Sequence, residues 1–400
     1  MIPALSGQSL GSMSGEPLGS TSGEPLGSTR TPHLIDRLPP IRGRVQADAP
    51  LAPFTWFRVG GAAEVLVRPS SAADLAGLLA ALPPDVPVQV LGAASNVIIR
   101  DGGVHGVVLR LGPGFGKVCV ERDGVVAGAA CLDATVAEHA AAAGLSGLEF
   151  LSGIPGTIGG AVAMNAGAYG ADVAGCLDWA EFVTRSGEQV RLPMSALALA
   201  YRHASLPPGA VVVRARFRAR PGDRATIAAR MADIRMSREA TQPVRARTGG
   251  STFRNPPGMR AWELIDAAAG GRGLVRGRAA CSEKHCNFLL NTGGATASEL
   301  EGLGEELRRR VHAASGVTLE WEIKRLGIPG PAKPLVPGEP LGSTSGEPSE
   351  IRANASVSLA QPFVRLGSTS GEHVGSTVAP QPLGSTQGGA ARLVTPGDEA

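Results

Sequence analysis

Between Phe150 and Ala171 the chain carries no charged side chain, and that run holds six glycines and Pro155. Such a segment constrains the fold through its backbone. Gly153, Gly156, Gly159 and Gly160 admit positive φ and the close approach of a bulky group, while Pro155 fixes one turn and leaves neighbouring N–H groups pointing outward. That is a cradle suited to phosphate. Two plainer readings compete with it. The run is long enough to cross a bilayer, but six glycines, Pro155 and Asn165 in one span speak against a membrane helix. A glycine-rich turn between core strands stays open on local grounds, unless other parts of the chain converge on the same place.

The ends of the 400-residue chain have a different character. Gly-Glu-Pro-Leu-Gly-Ser-Thr begins at 15, at 23 and again at 338, and Gly-Ser-Thr-Ser-Gly-Glu occupies 367–372. A unit with one leucine among Gly, Ser, Thr, Glu and Pro cannot bury enough apolar surface to offset its ordering entropy. Residues 1–45 and 330–400 are therefore expected to be disordered, and a chain trimmed to 46–329 to keep full activity. About 280 residues remain, enough for a core in two or three lobes. The net charge is +3, with basic residues scattered rather than clustered with aromatics, which gives no footprint of a nucleic-acid groove. No leader pattern or membrane helix is legible, so a soluble cytoplasmic monomer is expected. Five cysteines at irregular spacing suit reduced thiols.

From Phe54 onward short β-rich runs appear: 64–68, 86–91, 97–100 and 107–111. Ser71 and Asp74 form a capping-box pattern ahead of Leu75, Leu78, Leu79 and Leu82, and Pro83-Pro84 ends that helix. The turn at Gly92-Ala-Ala-Ser-Asn96 lies at a strand end, a common place for ligands. Gly112-Pro-Gly-Phe-Gly-Lys117 fails as a dinucleotide fingerprint and as a P-loop, and is expected to be a hairpin turn. Strands follow at 117–121 and 125–127, and Asp133 is expected to cap a helix to Ala143. Beyond the Gly-rich run, 179–184 and 189–192 flank a turn at Ser186-Gly187, with another strand at 210–217. A helix over 226–240 leads to a further unit. There Thr296 and Glu299 form a capping box, Leu300, Leu303, Leu307 and Val311 an apolar stripe, and Leu319–Leu326 an alternating strand.

Between the tails there is no Gly-x-Ser-x-Gly, His-Glu-x-x-His or Cys-x-x-Cys. Cys281, His285 and Cys286 make a poor zinc site, with three soft ligands and no fourth nearby, so no metal is expected. Taken singly, Glu322 reads as a solvated strand residue and Arg202 as a surface cation.

From Phe54 to Gly327, however, seven short motifs occur in order. They are Thr55-Trp-Phe-Arg-Val-Gly-Gly61, Leu91-Gly-Ala-Ala-Ser-Asn96, Gly153-Ile-Pro-Gly-Thr-Ile-Gly-Gly160 with Asn165-Ala-Gly-Ala-Tyr-Gly170, Tyr201-Arg-His-Ala-Ser205, Gly250-Ser-Thr-Phe-Arg-Asn-Pro256, Ser282-Glu-Lys-His-Cys-Asn-Phe288 and Leu319-Glu-Trp-Glu-Ile-Lys324. Together they resemble the UDP-N-acetylenolpyruvoylglucosamine reductase family. The resemblance implies an α+β fold: a two-lobed FAD-binding domain of the vanillyl-alcohol oxidase type over 46–222 and a C-terminal substrate-binding domain over 223–329.

The resemblance also implies the cofactors FAD and NADPH and a UDP-sugar enolpyruvyl ether as substrate. Gly92, Ser95, Asn96, Ile154, Pro155, Gly156, Gly159, Gly160, Asn165 and Gly167 match the family's flavin-contacting motifs. Arg202, Ser251 and Glu322 fall on its catalytic positions. The chain departs from the family at Gly92-Ala93-Ala94, where glycines are common, which predicts a less close backbone approach. With only Tyr169 and Tyr201 in the chain, and little room between Ser205 and Ser251, the shorter family form without a tyrosine loop is expected. Lys284 and Arg254 are then candidates for holding the UDP pyrophosphate. An oxygen-using oxidase on the same fold is the alternative; a covalent one would need a flavin-linked histidine, and His105 is the only histidine among the early strands. A non-catalytic nucleotide-binding module is a third reading.

Overall fold

The computed structural model describes residues 33–268 and 270–330. Its first sheet is formed by strands β1 (Arg44–Pro50), β2 (Ala62–Arg68), β3 (Val88–Val90) and, beyond the separate strand β4 (Val97–Ile99), β5 (Val104–Leu109). The order is β1-β2-β5-β3, with β1 antiparallel and the other neighbours parallel. Helix α1 (Ala72–Ala81) makes the crossover that parallel pairing requires. Its Leu75, Leu78 and Leu79, spaced to share one helix face, are buried against Val65, Val67, Val107 and Leu109.

The second sheet contains β6 (Val118–Glu121), β7 (Gly124–Gly128), β8 (Leu177–Val183), β9 (Gln189–Pro193) and β10 (Val211–Arg218), all antiparallel in the order β9-β8-β10-β7-β6. Helices α2 (Asp133–Ala142) and α3 (Ile158–Met164) share its core, where Val136, Ile158 and Val162 meet Val125, Phe182 and Phe217. The uncharged Gly-rich run is thus a turn and a short helix, anchored by the buried Leu151, Ile158 and Val162 while Gly160, Ala163 and Gly170 stay exposed.

Helix α4 (Arg224–Thr241) follows, and its Ile227 and Met231 pack into this second core. The third sheet has the order β11-β14-β13-β12, from β11 (Arg247–Ser251), β12 (Val275–Arg276), β13 (Ala279–Cys281) and β14 (Phe288–Asn291). Helices α5 (Ala261–Ala267) and α6 (Ala297–Ser315) cover it. Thr296 and Glu299 make the full capping box expected of them. Leu300, Leu303, Leu307 and Val311 are all buried, each contributing ~1.5–3 kcal/mol relative to exposure. Phe57, Val59 and Ile98 enter the same core, and the last strand, β15 (Lys324–Leu326), pairs in parallel with β4. The last described strand is thereby stitched to the first lobe.

Several expectations are corrected. Residues 33–45 belong to the packed structure: Leu34 is 6% exposed, and Ile35, Leu38 and Ile41 rest on the first core. Trimming to residue 46 would remove these contacts. The expected disorder of 1–32 and 331–400 lies outside the described residues. Gly112–Lys117 is no hairpin turn, because β5 and β6 belong to different sheets; it carries the chain between them with Phe115 buried. Ser71 accepts the Asp74 N–H, but the Asp74 carboxylate accepts from Ser70 N and Arg42 N rather than returning to Ser71. Over 319–326 only β15 is a regular strand. Leu319 and Ile323 are buried as the alternation predicts, but Trp321 makes a single bridge to Phe253. Asp133 caps nothing: Leu132 is the N-cap of α2, without a side-chain bond.

Candidate active site

A cavity of about 550 Å³ is lined by loops from all three sheets. Gly92, Ser95 and Asn96 come from the loop after β3, Ile154, Pro155, Gly156 and Gly160 from the Gly-rich run, and Gly167 from the turn beyond α3. Arg202, Ser251 and Glu322 complete the convergence that the motifs predict.

The loop from Gly92 to Asn96 is held by its carbonyls. Trp56 N donates to Ala94 O at 3.2 Å and Lys324 N to Asn96 O at 3.1 Å, whereas no backbone N–H from Gly92 to Asn96 donates to any described residue. Successive free N–H groups are a concave anion-binding surface. Ala94 takes φ of 50°, so the loop keeps a left-handed turn although alanine stands where the family often has glycine. Gly92 leaves room for the Thr157 hydroxyl, which a Cβ there, 2.6 Å from Thr157 Oγ1, would force to shift.

Two residues of the flavin motifs do not line the cavity. Gly159 donates its N–H to Ala129 O at 2.9 Å, and a Cβ on it would sit 3.1 Å from the Ala129 Cβ, so it brings α3 against the second sheet. Asn165 is buried at φ of 43° after α3; it accepts from Ala174 N at 2.8 Å and donates to Ala200 O at 3.0 Å. Both hold the cradle in place.

Arg202 and Glu322 are 120 residues apart in sequence yet form one unit. Arg202 Nε donates to Glu322 Oε1 at 2.8 Å, and Arg202 Nη2 donates to Gly167 O at 2.9 Å. Their side chains are 21% and 12% exposed. Arg202 has φ of 53°, a strained conformation for a non-glycine residue, held by these bonds. Glu322 is fixed from behind as well, its N–H on Thr252 O at 2.8 Å and its carbonyl accepting from Asn96 Nδ2 at 3.2 Å. Ser251 ends β11 beside an irregularity in its pairing with β14, and its hydroxyl makes no bond to any described residue. It faces the cavity with its proton unengaged.

The candidates for the UDP pyrophosphate are not brought to this cavity. Lys284 donates to the Glu239 carbonyl on α4, and Arg254 Nη2 donates to the Arg202 carbonyl at 3.3 Å. A second cavity, of about 740 Å³, adjoins the first through Gly167, Ala168 and Arg202 and is bordered by Tyr169, Tyr201 and Asn255. The Arg202 guanidinium lies 5.1 Å from the centre of the Tyr201 ring. Between Ser205 and Ser251 the chain holds β10, α4 and β11 and a two-residue strand at Arg220–Pro221.

Sequence reasoning missed Asp133, Thr157, Arg238, Gln242 and Lys324, all of which line the first cavity. Burial pushes the Arg238 guanidinium below its ordinary pKa, and its Nε donates to Gln242 Oε1 at 3.3 Å. Gln242 lies just beyond the helix expected over 226–240 and belongs to none of the motifs. His105 sits at the surface 3.6 Å from Glu64 and does not line the cavity, so it is not placed to tether a flavin. The Cys281 thiol donates to the Cys286 carbonyl and the Cys286 thiol to Trp262 O, so both point at backbone.

The free amides of 92–96 fit an anionic dinucleotide, and residues 63–193 match the family described as FAD binding domain. Residues 242–326 match the C-terminal domain of UDP-N-acetylenolpyruvoylglucosamine reductase. The reductase of that name from Acidiphilium cryptum is 66% identical over 292 residues, covering 73% of this chain and 94% of the relative. That from Granulibacter bethesdensis is 65% identical over 72% of this chain and 93% of its own length. Among solved structures, the reductase from Thermus caldophilus superposes with a TM-score of 0.62 at 34% identity, over 72% of this chain and all of that one. With this agreement in sequence and fold, the chain belongs to the UDP-N-acetylenolpyruvoylglucosamine reductase family.

Proposed function

We propose that this protein is an FAD-dependent oxidoreductase that uses NADPH to reduce the enolpyruvyl group of UDP-N-acetylglucosamine enolpyruvate, giving UDP-N-acetylmuramate for peptidoglycan precursors. The observation that carries the reading is the Arg202–Glu322 ion pair on the wall of the cavity that also holds Ser251 and the amide cradle. Bound FAD supplies the hydride chemistry, and the protein supplies orientation, charge and a proton. Gly92, Ser95, Asn96, Ile154, Pro155, Gly156, Gly160 and Gly167 would hold the dinucleotide.

Hydride addition to the enolpyruvyl methylene leaves negative charge on the adjacent carbon and its carboxylate. Arg202, oriented by Glu322 and the Gly167 carbonyl, opposes that charge where it develops. Ser251 then gives its proton to the carbanionic carbon, which is basic enough to accept it from a hydroxyl. The flavin side comprises 46–222 together with the packed residues from 33, and 223–329 the substrate side, with α4 leaning on the former. The reading includes a cytoplasmic monomer serving cell-wall growth and division; that it has no nucleic-acid partner agrees with the modest net charge of +3. The absence of an insertion between Ser205 and Ser251 among the described residues supports the shorter family form.

Ser251→Ala tests the assignment. NADPH should still bleach the bound flavin at close to the normal rate, while reoxidation by the enolpyruvyl substrate slows by ~10²-fold or more. Equal slowing of both half-reactions would make Ser251 structural. Rapid oxygen consumption with an alcohol or sugar, and no response to the enolpyruvyl substrate, would favour the oxidase.

A further inference from the structure

Asp133 opens α2 but caps nothing, is 0% exposed, and lies in the wall of the cavity. Neither carboxyl oxygen has a hydrogen-bond partner among the described residues. Oδ2 rests against the Gly-rich run, where a Cβ on Gly156 would approach it to 2.5 Å. A buried polar group without a partner costs stability in either protonation state, so a native chain that keeps one calls for a partner from outside its own atoms. Burial pushes the Asp133 pKa up to about 8, which leaves a neutral acid near pH 7 with one donor O–H and acceptor capacity beside it.

Its surroundings are nearly free of charge. Cys131 is the coupled titratable neighbour, its thiol pushed up to about 11 by burial and by Asp133. Of the segments packed on α2, residues 124–128 carry no charged side chain and 149–153 carry only Glu149, which accepts from Ser146 Oγ and Gly147 N, while the other charged groups on the cavity are Arg202, Arg238, Glu322 and Lys324.

We propose that Asp133 contacts the flavin dinucleotide through a protonated carboxyl group, donating a hydrogen bond to an acceptor atom of the cofactor. The proposal rests on the FAD reading given above. FAD brings two phosphate charges to the same cavity, and an ionised Asp133 would repel them while offering no donor. Cofactor binding therefore selects the protonated form. Affinity is full below the Asp133 pKa of the free protein and falls as pH rises through it.

The test is titration of the flavin-free protein with FAD, followed by quenching of flavin fluorescence between pH 6.5 and 9.5 in wild type, Asp133→Asn and Asp133→Ala. In wild type the affinity should fall by up to ~10-fold per pH unit above about pH 8, the limit for one linked proton. Asp133→Asn, neutral throughout and still a donor, should bind within about threefold of wild type at pH 6.5 and lose the alkaline decline, while Asp133→Ala binds ~10-fold more weakly. A flat wild-type profile, which needs no variant to fold, would overturn the proposal. So would parallel profiles for wild type and Asp133→Asn. Wild type that takes up no FAD at any pH would instead defeat the flavin reading itself.

Discussion

Two carboxyl groups border one cavity and are held in opposite ways. Glu322 accepts from Arg202 at 2.8 Å and is fixed on both sides by backbone bonds, whereas Asp133 is more deeply buried and has no partner among the described residues. The first is an ion pair whose Arg202 guanidinium is available to a developing negative charge. The second is a neutral acid. One carboxyl group paired with a guanidinium and one enclosed without a partner serve different chemical tasks, one electrostatic and one hydrogen-bonding.

The largest expected effect comes from breaking the paired member. Arg202→Ala removes the charge that opposes the enolate and leaves the half-buried Glu322 without its partner, so reoxidation of reduced flavin by substrate should slow by ~10³-fold. FAD content should stay near one per chain. Stopped-flow absorbance reads both, and a loss below tenfold would mean that the pair is architectural.

A lesion remote from both groups serves as the control. A chain beginning at residue 46 lacks Leu34, Leu38 and Ile41 from the first core and should melt at least ~6 °C lower than one spanning 33–330. Its FAD affinity at pH 6.5, measured below the melting range, should keep the same response to Asp133→Asn. Unchanged melting would show that the packed segment contributes nothing.

Asp133→Asn sharpens the other side through stability. The folded pKa of about 8 lies above the ordinary carboxyl value of 3.8, so the folded flavin-free protein binds the extra proton between these limits. Its stability therefore falls as pH rises from about 4 to 8, and the asparagine, which cannot ionise in the unfolded chain, escapes that penalty. By calorimetry the variant without flavin should melt ~3 °C or more above wild type at pH 8, with the difference closing toward pH 4. A difference that is constant with pH would place Asp133 ionised in the folded state.

The smallest effect is expected from Gly156→Ala, whose new Cβ would displace the Asp133 carboxyl. FAD affinity should fall by ~10-fold or less, about the loss of one hydrogen bond, with Arg202 and Glu322 undisturbed. An equal fall in the Asp133→Ala background would show that the two residues act separately.

Much of this architecture is legible in the chain because its signals are local. The α6 stripe and the Thr296–Glu299 box depend on 3.6-residue periodicity and a three-residue reach, and both stand as expected. The hairpin around Ser186-Gly187 is likewise set by neighbours. Asp133 shows where local reasoning ends. An aspartate at a helix start ordinarily caps it, but here it is the first helical residue, and its carboxyl lies against the run around Gly156. Gly159 and Asn165 sit inside a ligand motif yet spend their hydrogen bonds on the second sheet and the Ala174 turn.

The sequence by itself determined the segments, the order of the motifs and the residue types that a flavin cradle and an enolate site require. Only the tertiary structure decided which of them meet. Arg202 and Glu322 become one ion pair because Leu319 and Ile323 are drawn into the third core and β15 pairs with β4, which brings the last described strand across the mouth of the Gly92–Asn96 loop. Burial then sets their chemistry: the desolvation that leaves Asp133 neutral and the contact that keeps Glu322 paired both depend on segments far away in the chain, and no short window of sequence contains them.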